Sequence, residues 1–574
     1  MRKGSSLAQS SLNANWWWWL TSVALLIFAI TRQYHWLISG EMWAEMGTNY
    51  FVHAHRANWP DWLLATDAGY LPIPQRLLAS LVEASSTPIA WTPYAYNALA
   101  IVLASLSIGA FAHPWFRPLA SQDALRAGMC LLWGIVLDFE TRTFINFTYT
   151  FALLGTLCCA RVIVKPGERV PGWLWLLPIL LLSKPAVLLA YVMVLIAAWY
   201  SRGSMRAIAT ACTLAVLLQI WTLAASRAAG IMPSQAAHLG IGDLIRTPLG
   251  YSIGYLGAVV VGQDLYLRLA NLPVVAHLLP GTLFLCGSAM AFWRTSSMQA
   301  RALMLAGGVL LLGNMVLNVV ALGAEWDHKL TKLNHLWLYR HVVVAFWGAT
   351  LIVLGTWLAC CNNTVRASGI RRWSQRLLSC WLLLVAASWL AIGFRATKPP
   401  SSPILGNGQW QAQARYMQHA ASPLCVPVDP FAWGIYGDGC IRLNKESVLR
   451  GPWSYITVTD LDIKVPTSVR DREILALSII IAAPTPQSPQ TARAQLIERD
   501  GTPVSDVFEG HAPLTIEGHA LTLRTASSFR ARTSIRLHFD TAVRVLQMPD
   551  DSTNIATATM WMGKPYPGES ERDR

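Results

Sequence analysis

Long apolar runs dominate residues 1–394, and most of the charge in this region lies in the short segments between them. A helix needs about 20 apolar residues to cross a bilayer. Eleven runs approach that length; they lie at 16–37, 94–113, 126–139, 146–164, 172–183, 185–200, 207–226, 272–293, 302–322, 336–360 and 377–394. The pattern predicts a mainly α-helical polytopic membrane bundle of eleven transmembrane helices over residues 1–394, with a long first outer loop at 38–93.

The pattern changes at Arg395. Residues 395–450 begin with the Pro- and Ser-rich stretch Lys398–Pro403, which predicts a linker and connecting segment. Beyond residue 450, apolar and polar residues alternate with the period of two that is typical of strands. The predicted strands are Ser454–Val465, Glu473–Ile481, Ala494–Glu498, Leu521–Thr525, Ser534–Phe539 and Ala542–Met548. Residues 451–574 are therefore expected to form a β-rich, β-sandwich-like domain.

The composition excludes several other classes of protein. Hydrophobic residues make up 54% of the chain and charged residues 13%, about half of the roughly 25% that is usual in soluble domains. The formal charge of +14 does not indicate nucleic-acid binding, because residues 1–394 carry 26 Lys and Arg against 13 Asp and Glu, whereas residues 395–574 are almost balanced. A soluble enzyme, a disordered chain and a nucleic-acid-binding protein are excluded.

Charges in the predicted loops indicate how the bundle is oriented. If the N-terminus is cytoplasmic, the inner loops hold fifteen basic residues against two acidic ones, whereas the outer side holds eleven of each. Lys and Arg are concentrated in the cytoplasmic loops of membrane proteins. An odd number of spans then places the C-terminal domain on the outer side of the membrane.

Two of the ten cysteines, Cys425 and Cys440, lie in this predicted outer domain. Cysteine pairs in oxidising compartments usually form disulfides. We predict a Cys425–Cys440 bond, with two independent thiols as the alternative.

The first outer loop carries three acidic residues that are candidates for a catalytic base. Glu41 and Glu45 are spaced i,i+4, so on a helix they would share one face. Asp67 opens the motif Asp-Ala-Gly-Tyr, which ends at Tyr70 and is followed by Arg76. Carboxylates under aromatic cover can act as general bases. The alternative is a solvated juxtamembrane surface with no catalytic role.

Basic and polar residues also occur at the outer ends of later spans. Lys184 lies in a Ser-Lys-Pro motif between the fifth and sixth spans, Glu140 and Asn146 follow the third, and Arg340 and His341 open the tenth. A cation close to hydrocarbon needs an anion, and a lipid phosphate is one candidate. Snorkelling, or pairing with acids such as Glu140, is the alternative.

Metal and nucleotide chemistry have little support in the sequence. His53 and His55 form a His-x-His pair, but no further His or Cys cluster accompanies it, so no metal site is predicted. No P-loop, dinucleotide-binding glycine pattern or Gly-x-Ser-x-Gly motif occurs.

The order of these motifs resembles that of the polytopic GT-C-type glycosyltransferases of bacterial inner membranes, particularly those that modify O-antigen (lipopolysaccharide) or other surface glycans. The resemblance covers about residues 1–395. Its elements are one span, an acidic outer loop with Asp-x-Gly-Tyr and Pro-x-Arg, then Ser-Lys-Pro, then Tyr-Arg. Family members often have Glu-Asp-Gly in the first loop, whereas here Glu45 is followed by Met46.

The resemblance implies an inverting transfer of sugar from a polyprenyl-phosphate-linked donor to a glycan or glycoprotein acceptor on the periplasmic side. It implies membrane lipids as partners, no cofactor, a cytoplasmic N-terminus and a periplasmic C-terminal domain. The expected base is Glu45, with Glu41 or Asp67 as alternatives. The other expected roles are donor-phosphate binding by Lys184, Arg340 and Arg76, and substrate binding by Tyr70, Glu140, Asn146 and His341.

Three other functions remain open at this level. A lipid-linked-glycan transporter or flippase is the main alternative, although transporters usually place ionisable residues at mid-membrane and show repeated halves. A lipid-binding assembly scaffold would leave the acidic residues without catalytic function. A surface-glycan polymerase or ligase is the nearest alternative among enzymes.

Overall fold

The computed structural model describes most of the membrane region and the strands of the tail. The described residues are 15–32, 40–56, 62–201, 203–229, 239–269, 271–322, 340–362 and 369–395, with Trp410, Ala414 and nine strands between 425 and 562. The chain forms two compact units. The helical unit comprises Met1–Leu37, Trp59–Leu78 and Asn97–Pro399, and the tail unit comprises Ile38–Asn58, Ala79–Tyr96 and Pro400–Arg574. The predicted first outer loop is thus divided between the units.

Helices account for most of the described chain. They are α1 (Trp16–Arg32), α2 (Val52–Arg56), α3 (Ile73–Ala84), α4 (Thr92–Gly109), α5 (Asp123–Ile135), α6 (Phe139–Arg142), α7 (Tyr149–Val164), α8 (Leu177–Leu181), α9 (Leu189–Tyr200), α10 (Ser204–Ala228), α11 (Ile241–Val261), α12 (Gln263–Leu269), α13 (Val274–Arg294), α14 (Met298–Leu322), α15 (Val343–Asn362) and α16 (Gly369–Arg395). A π-helix, Met46–Phe51, precedes α2.

Seven helical stretches of the described chain are long and apolar enough to cross a membrane. They are Ile89–Ala112, Ser204–Ala228, Ile241–Val261, Val274–Arg294, Met298–Ala321, Val343–Cys361 and Gln375–Arg395. Four shorter apolar stretches are Trp16–Arg32, Tyr149–Val164, Gly172–Leu181 and Pro185–Tyr200. The multi-pass helical character agrees with the prediction, but the count of eleven spans is not confirmed.

Helix α11 has no counterpart among the predicted spans, although it is one of the seven stretches. It is the least apolar of them, with Asp243 in its first turn and Pro248 inside it. Near its C-terminal end, Gly257 lies against Gly281 of α13, where a side chain on either residue would meet backbone atoms of the other helix. Small residues allow membrane helices to approach this closely. A further span would change the parity of the count and would move every later loop to the opposite side, so an outer tail follows only from the count of eleven spans.

Polar contacts at the two ends of helix α7 differ in kind. At its C-terminal end, Arg161 pairs with Glu168 and stacks on Trp115. Just before its N-terminal end, the Thr148 hydroxyl accepts a 3.0 Å hydrogen bond from Gln75 Nε2. Thr148 and Arg161 are 13 residues apart on this helix, so these groups lie about 20 Å apart along its axis. Helix α7 therefore separates a contact in a predicted inner loop from a contact at the opposite end of the helix.

The described tail strands form antiparallel sheets. The strands are β1 (Cys425–Val428), β2 (Trp433–Tyr436), β3 (Ser454–Lys464), β4 (Glu473–Ile481), β5 (Thr491–Ile497), β6 (Phe508–His511), β7 (His519–Arg530), β8 (Ser534–Gln547) and β9 (Thr559–Met562). β1 pairs with β2, and the other seven form one sheet with the central order β6-β5-β8-β4-β7, in which β3 also pairs with β8 and β9 with β4. The β-rich prediction agrees with these strands, but a sandwich of two packed sheets is not confirmed.

Two features of the tail differ from, or lie beyond, the sequence prediction. The strands predicted at 534–539 and 542–548 are one continuous strand, β8. The proposed partner of Cys425, Cys440, lies outside the described residues, so the disulfide stays a prediction.

Candidate functional site

A tight turn brings Asp67 and Tyr70 together in the helical unit. Their backbones exchange two hydrogen bonds, Asp67 N to Tyr70 O at 2.8 Å and Tyr70 N to Asp67 O at 3.1 Å. The two residues between them have positive φ, +46° at Ala68 and +82° at Gly69, as two-residue type I′ turns require. Both flanking side chains are buried, and the Tyr70 hydroxyl donates to Asp67 Oδ2 at 3.0 Å.

Lys184 lies over the Tyr70 ring of this pair. Pro185 disfavours helical conformation at the preceding residue, and Lys184 is extended, with φ −57° and ψ 141°. The apolar stretch is interrupted there, between helices α8 and α9. Lys184 Nζ lies 4.9 Å from the centroid of the Tyr70 ring, within the range of a cation–π interaction. The predicted site residues Asp67, Tyr70 and Lys184 are therefore in one place.

Helix α10 contributes a residue that the sequence analysis did not single out. Gln219 is fully buried; its Oε1 accepts a 3.0 Å bond from Leu71 N, and its Nε2 donates a 2.7 Å bond to Ser183 O. The backbones of the same two segments also meet directly, where Ile73 N donates to Leu182 O at 2.9 Å. A lone amide within an apolar helix was the available sequence signal, since buried polar groups in membrane helices are seldom without a function.

Arg340 and Glu140 form a second charged contact in the helical unit. Arg340 Nη1 lies 2.8 Å from Glu140 Oε2. The next residue, His341, precedes helix α15, and its backbone carbonyl accepts a 2.6 Å bond from Asn318. Burial, together with the charges of Arg340 and Lys184, lowers the pKa of His341 to about 3. His341 is therefore neutral at physiological pH, with both predicted phosphate-binding cations close enough to affect it.

Asp138, which follows the end of helix α5, is a second residue that the sequence analysis missed. It caps α6 by accepting a 2.9 Å bond from Thr141 N. Removal from water and the nearby charge of Glu140 raise its pKa to about 7, although bonds from Thr141 and the charge of Arg340 oppose this shift. Two acids spaced i,i+2 directly after an apolar run were the sequence signal. The raised pKa means that this carboxyl, which lies near Arg340 and Glu140, takes up a proton more readily than an ordinary aspartate.

Arg76, predicted to bind the donor phosphate, and Asn146, predicted to bind substrate, are both buried in the helical unit. Arg76 Nε donates to the Ala65 carbonyl at 2.8 Å, a contact that shapes the loop before α3. Gln75 joins the start of α3 to the segment before α7 through the carbonyl of Ile145. Among the described residues, Asn146 Nδ2 has no hydrogen-bond partner.

Glu41 and Glu45 lie in the tail unit and do not share a helix. Ala44, between them, has a φ of +43°, which is incompatible with a continuous α-helix. Glu41 Oε2 accepts a 2.9 Å bond from Trp410 N. Glu45 is half-buried at the start of the π-helix, and its side chain makes no capping hydrogen bond. The shared helical face considered for these two acids is therefore not found.

His55 of the predicted His-x-His pair also belongs to the tail unit. Its Nδ1 lies 3.1 Å from Glu83 Oε1, and its ring stacks on Phe51. Across the part of the chain that the structure describes, no three His, Cys, Asp or Glu side chains are grouped to hold a metal ion.

No protein-family model matches the chain, and comparisons with curated proteins and with solved structures gave no match either. A functional assignment therefore depends on the motifs of the sequence and on the geometry of the helical unit.

The turn at Asp67–Tyr70 gives a first prediction. We expect Gly69→Ala to destabilise it by about 1–2 kcal/mol, because φ near +80° is unfavourable for a residue with a Cβ. Gly172→Ala is the matched control, since that glycine has ordinary φ and open space around its Cβ position. The measurement is the thermal unfolding midpoint in detergent. Equal midpoints for the two variants would contradict the assigned turn.

Proposed function

We propose that this chain is a glycosyltransferase that moves a sugar from a polyprenyl-phosphate-linked donor to a surface glycan or glycoprotein. The observation that carries the proposal is that Tyr70 contacts both a buried carboxylate and a cation: its hydroxyl donates to Asp67, and Lys184 Nζ lies 4.9 Å from its ring centroid. Glycosyl transfer from a lipid phosphate needs these two groups near each other. The carboxylate removes a proton from the acceptor, and the cation stabilises the departing phosphate.

Lys184 and Arg340 are assigned to the donor phosphate. Lys184 is half-buried at a break between apolar helices, and Arg340 keeps a third of its side-chain surface accessible although it pairs with Glu140. Both cations lower the pKa of His341, which supports their acting on a common region. A phosphate that binds there meets two positive charges and one neutral imidazole. Arg340 can then leave its ion pair with Glu140 and pair with the phosphate.

Asp67 is assigned as the base. The acceptor hydroxyl gives its proton to the Asp67 carboxylate while its oxygen forms a bond to the anomeric carbon of the sugar. The bond from that carbon to the phosphate oxygen breaks, and its electron pair leaves with the lipid phosphate. A single displacement of this kind inverts the anomeric centre.

Glu45, which the resemblance favours as the base, is the alternative. Asp67 is preferred because it lies in the same helical unit as the two cations. It also accepts a hydrogen bond from Tyr70, whose ring contacts Lys184. Glu41 is the weakest of the three candidates, because it lies outside the helical unit that holds the two cations and its carboxylate also accepts a hydrogen bond from Trp410 N.

The proposal includes an orientation in the bacterial inner membrane. Nucleotide sugars are not available outside the cytoplasm, so a transferase acting there needs a lipid-borne donor. The charge asymmetry of the predicted loops supports a cytoplasmic N-terminus and a periplasmic tail.

This orientation gives a second prediction. A tag after Arg574 should be cut by a protease added to the periplasmic side of intact spheroplasts, whereas a tag before Met1 should be protected until the membrane is opened. Suppose that a reporter that works only in the cytoplasm is fused to the C-terminus. Activity of this fusion would contradict the orientation, whether or not the protein transfers sugar.

The function itself is tested by comparing surface glycans and glycoproteins from cells with and without the protein by mass spectrometry. The proposal predicts the loss of a mass that corresponds to one sugar from one class of surface molecule. Unchanged glycans and glycoproteins would oppose it.

A further inference from the structure

We infer that Gln219 is a positioning residue that fixes Tyr70 and Lys184 at their mutual distance. Its effect on transfer rests on the proposed function, whereas its effect on structure does not. Each of its two hydrogen-bond partners is next in sequence to one of these residues: Leu71 follows Tyr70, and Ser183 precedes Lys184.

Gln219 differs from its neighbours in helix α10, and its side chain connects two distant segments of the chain. Its sequence neighbours Leu217, Leu218, Ile220 and Trp221 are exposed on the protein surface, whereas Gln219 is fully buried. Buried polar groups in an apolar environment are retained where their hydrogen bonds are satisfied. Both ends of this amide are satisfied by backbone groups that lie far away in sequence.

The chemistry of a primary amide suits the position. Leu71 supplies a donor and Ser183 an acceptor, so the side chain between them must accept at one atom and donate at the other. An aliphatic side chain can do neither and would leave two buried backbone groups unsatisfied. An ionised glutamate can accept from Leu71 N but cannot donate to Ser183 O.

Gln219 is not the whole connection between the two segments. The Ile73–Leu182 backbone bond joins them independently of the side chain. We therefore expect variants at Gln219 to fold, with a looser contact between Tyr70 and Lys184. Misplacement of a catalytic group by about 1 Å can cost on the order of 100-fold in rate.

The experiment compares Gln219→Leu and Gln219→Glu with the control Thr222→Val in nanodiscs. Thr222 is buried in the same helix, and its hydroxyl donates a 2.9 Å bond to the Gln219 carbonyl. The first readout is hydrogen exchange of the peptide containing the Leu71 amide. Exchange should be at least about tenfold faster in Gln219→Leu and unchanged in Thr222→Val, because only the former loses the acceptor.

The second readout is transfer rate and affinity for a polyprenyl-phosphate-sugar donor as a function of pH. Gln219→Leu should lose about 10- to 100-fold in rate at every pH. Gln219→Glu should approach the wild type at low pH, where a protonated carboxyl can donate to Ser183 O, and lose activity as the pH rises and the carboxyl ionises. A merely structural role would not produce this pH-dependent rescue.

Each outcome decides the inference. Unchanged Leu71 exchange in Gln219→Leu, or an equal change in Thr222→Val, overturns it. If Lys184→Ala weakens donor binding in the same assay but Gln219→Leu changes neither rate nor affinity, the positioning role fails and the proposed function stands. If Leu71 exchange accelerates as expected but neither Lys184→Ala nor Arg340→Ala weakens donor binding, the structural role of Gln219 stands and the proposed donor-phosphate site fails.

Discussion

Asp67→Asn is expected to slow sugar transfer by about 10²- to 10⁴-fold, the usual effect of removing a general base. The asparagine keeps the shape of the side chain, and its amide oxygen can still accept the hydrogen bond from the Tyr70 hydroxyl. It cannot take the proton of the hydroxyl group that receives the sugar. Donor affinity should barely change, because the base acts on the acceptor. The measurement is single-turnover transfer and donor binding for the wild type and the variant in nanodiscs.

Two further carboxylate variants make this prediction specific. Glu83→Gln is the control, since Glu83 is a well-exposed acid that pairs with His55 and has no assigned role; it should retain normal turnover. Glu45→Gln tests the alternative base. Normal turnover in Asp67→Asn with loss in Glu45→Gln would move the role to Glu45. If Asp67, Glu45 and Glu41 were all dispensable, the transferase mechanism would fall and the transporter alternative would take its place.

Lys184→Ala and Arg340→Ala are expected to weaken donor binding by about 10- to 100-fold each, because a hydrogen bond to a charged group contributes about 1.5–3 kcal/mol. Transfer should slow as well, since the phosphate gains charge as it leaves. Arg294→Ala, which removes an exposed cation at the end of helix α13, is the control and should bind donor normally. The measurement is donor affinity by equilibrium binding at two salt concentrations.

Removal of Arg340 also leaves Glu140 without the cation that lies 2.8 Å from it. The carboxylate would then repel the phosphate and exaggerate the loss in Arg340→Ala. The double variant Arg340→Ala/Glu140→Gln separates the two effects and should recover part of the affinity. Normal donor affinity in both Lys184→Ala and Arg340→Ala would contradict the phosphate assignment.

The positions of most helices could be predicted from apolar runs alone. The run at 146–164 became α7, Tyr149–Val164, and the run at 207–226 became α10, Ser204–Ala228. Helix α11 was missed because Asp243 and Pro248 interrupt its apolar pattern, although close packing against α13 accommodates it. Strand β8 was predicted as two pieces because its alternation is interrupted near residue 540, where the register of its pairing with β3 also shifts.

The residue types of the site were predictable, but their grouping was not. Asp-Ala-Gly-Tyr supplied a candidate base in the first outer loop, and Ser-Lys-Pro indicated a cation between two spans. Their contact joins residues more than a hundred positions apart, and Gln219, on a third segment, helps to create it. The i,i+4 spacing of Glu41 and Glu45 suggested a shared helical face, which the positive φ of Ala44 prevents. Local pattern carries no information about such long-range contacts.

The most direct test of the central claim is transfer by the purified protein. Nanodiscs that contain the protein are supplied with polyprenyl-phosphate sugars from the native membranes and with surface glycan from cells that lack the protein. We expect free polyprenyl phosphate and sugar-bearing acceptor to form in equal amounts, and both to form at least about 100-fold more slowly with Asp67→Asn. Intact donor and unmodified acceptor after incubation with folded, donor-binding wild-type protein would contradict the claim.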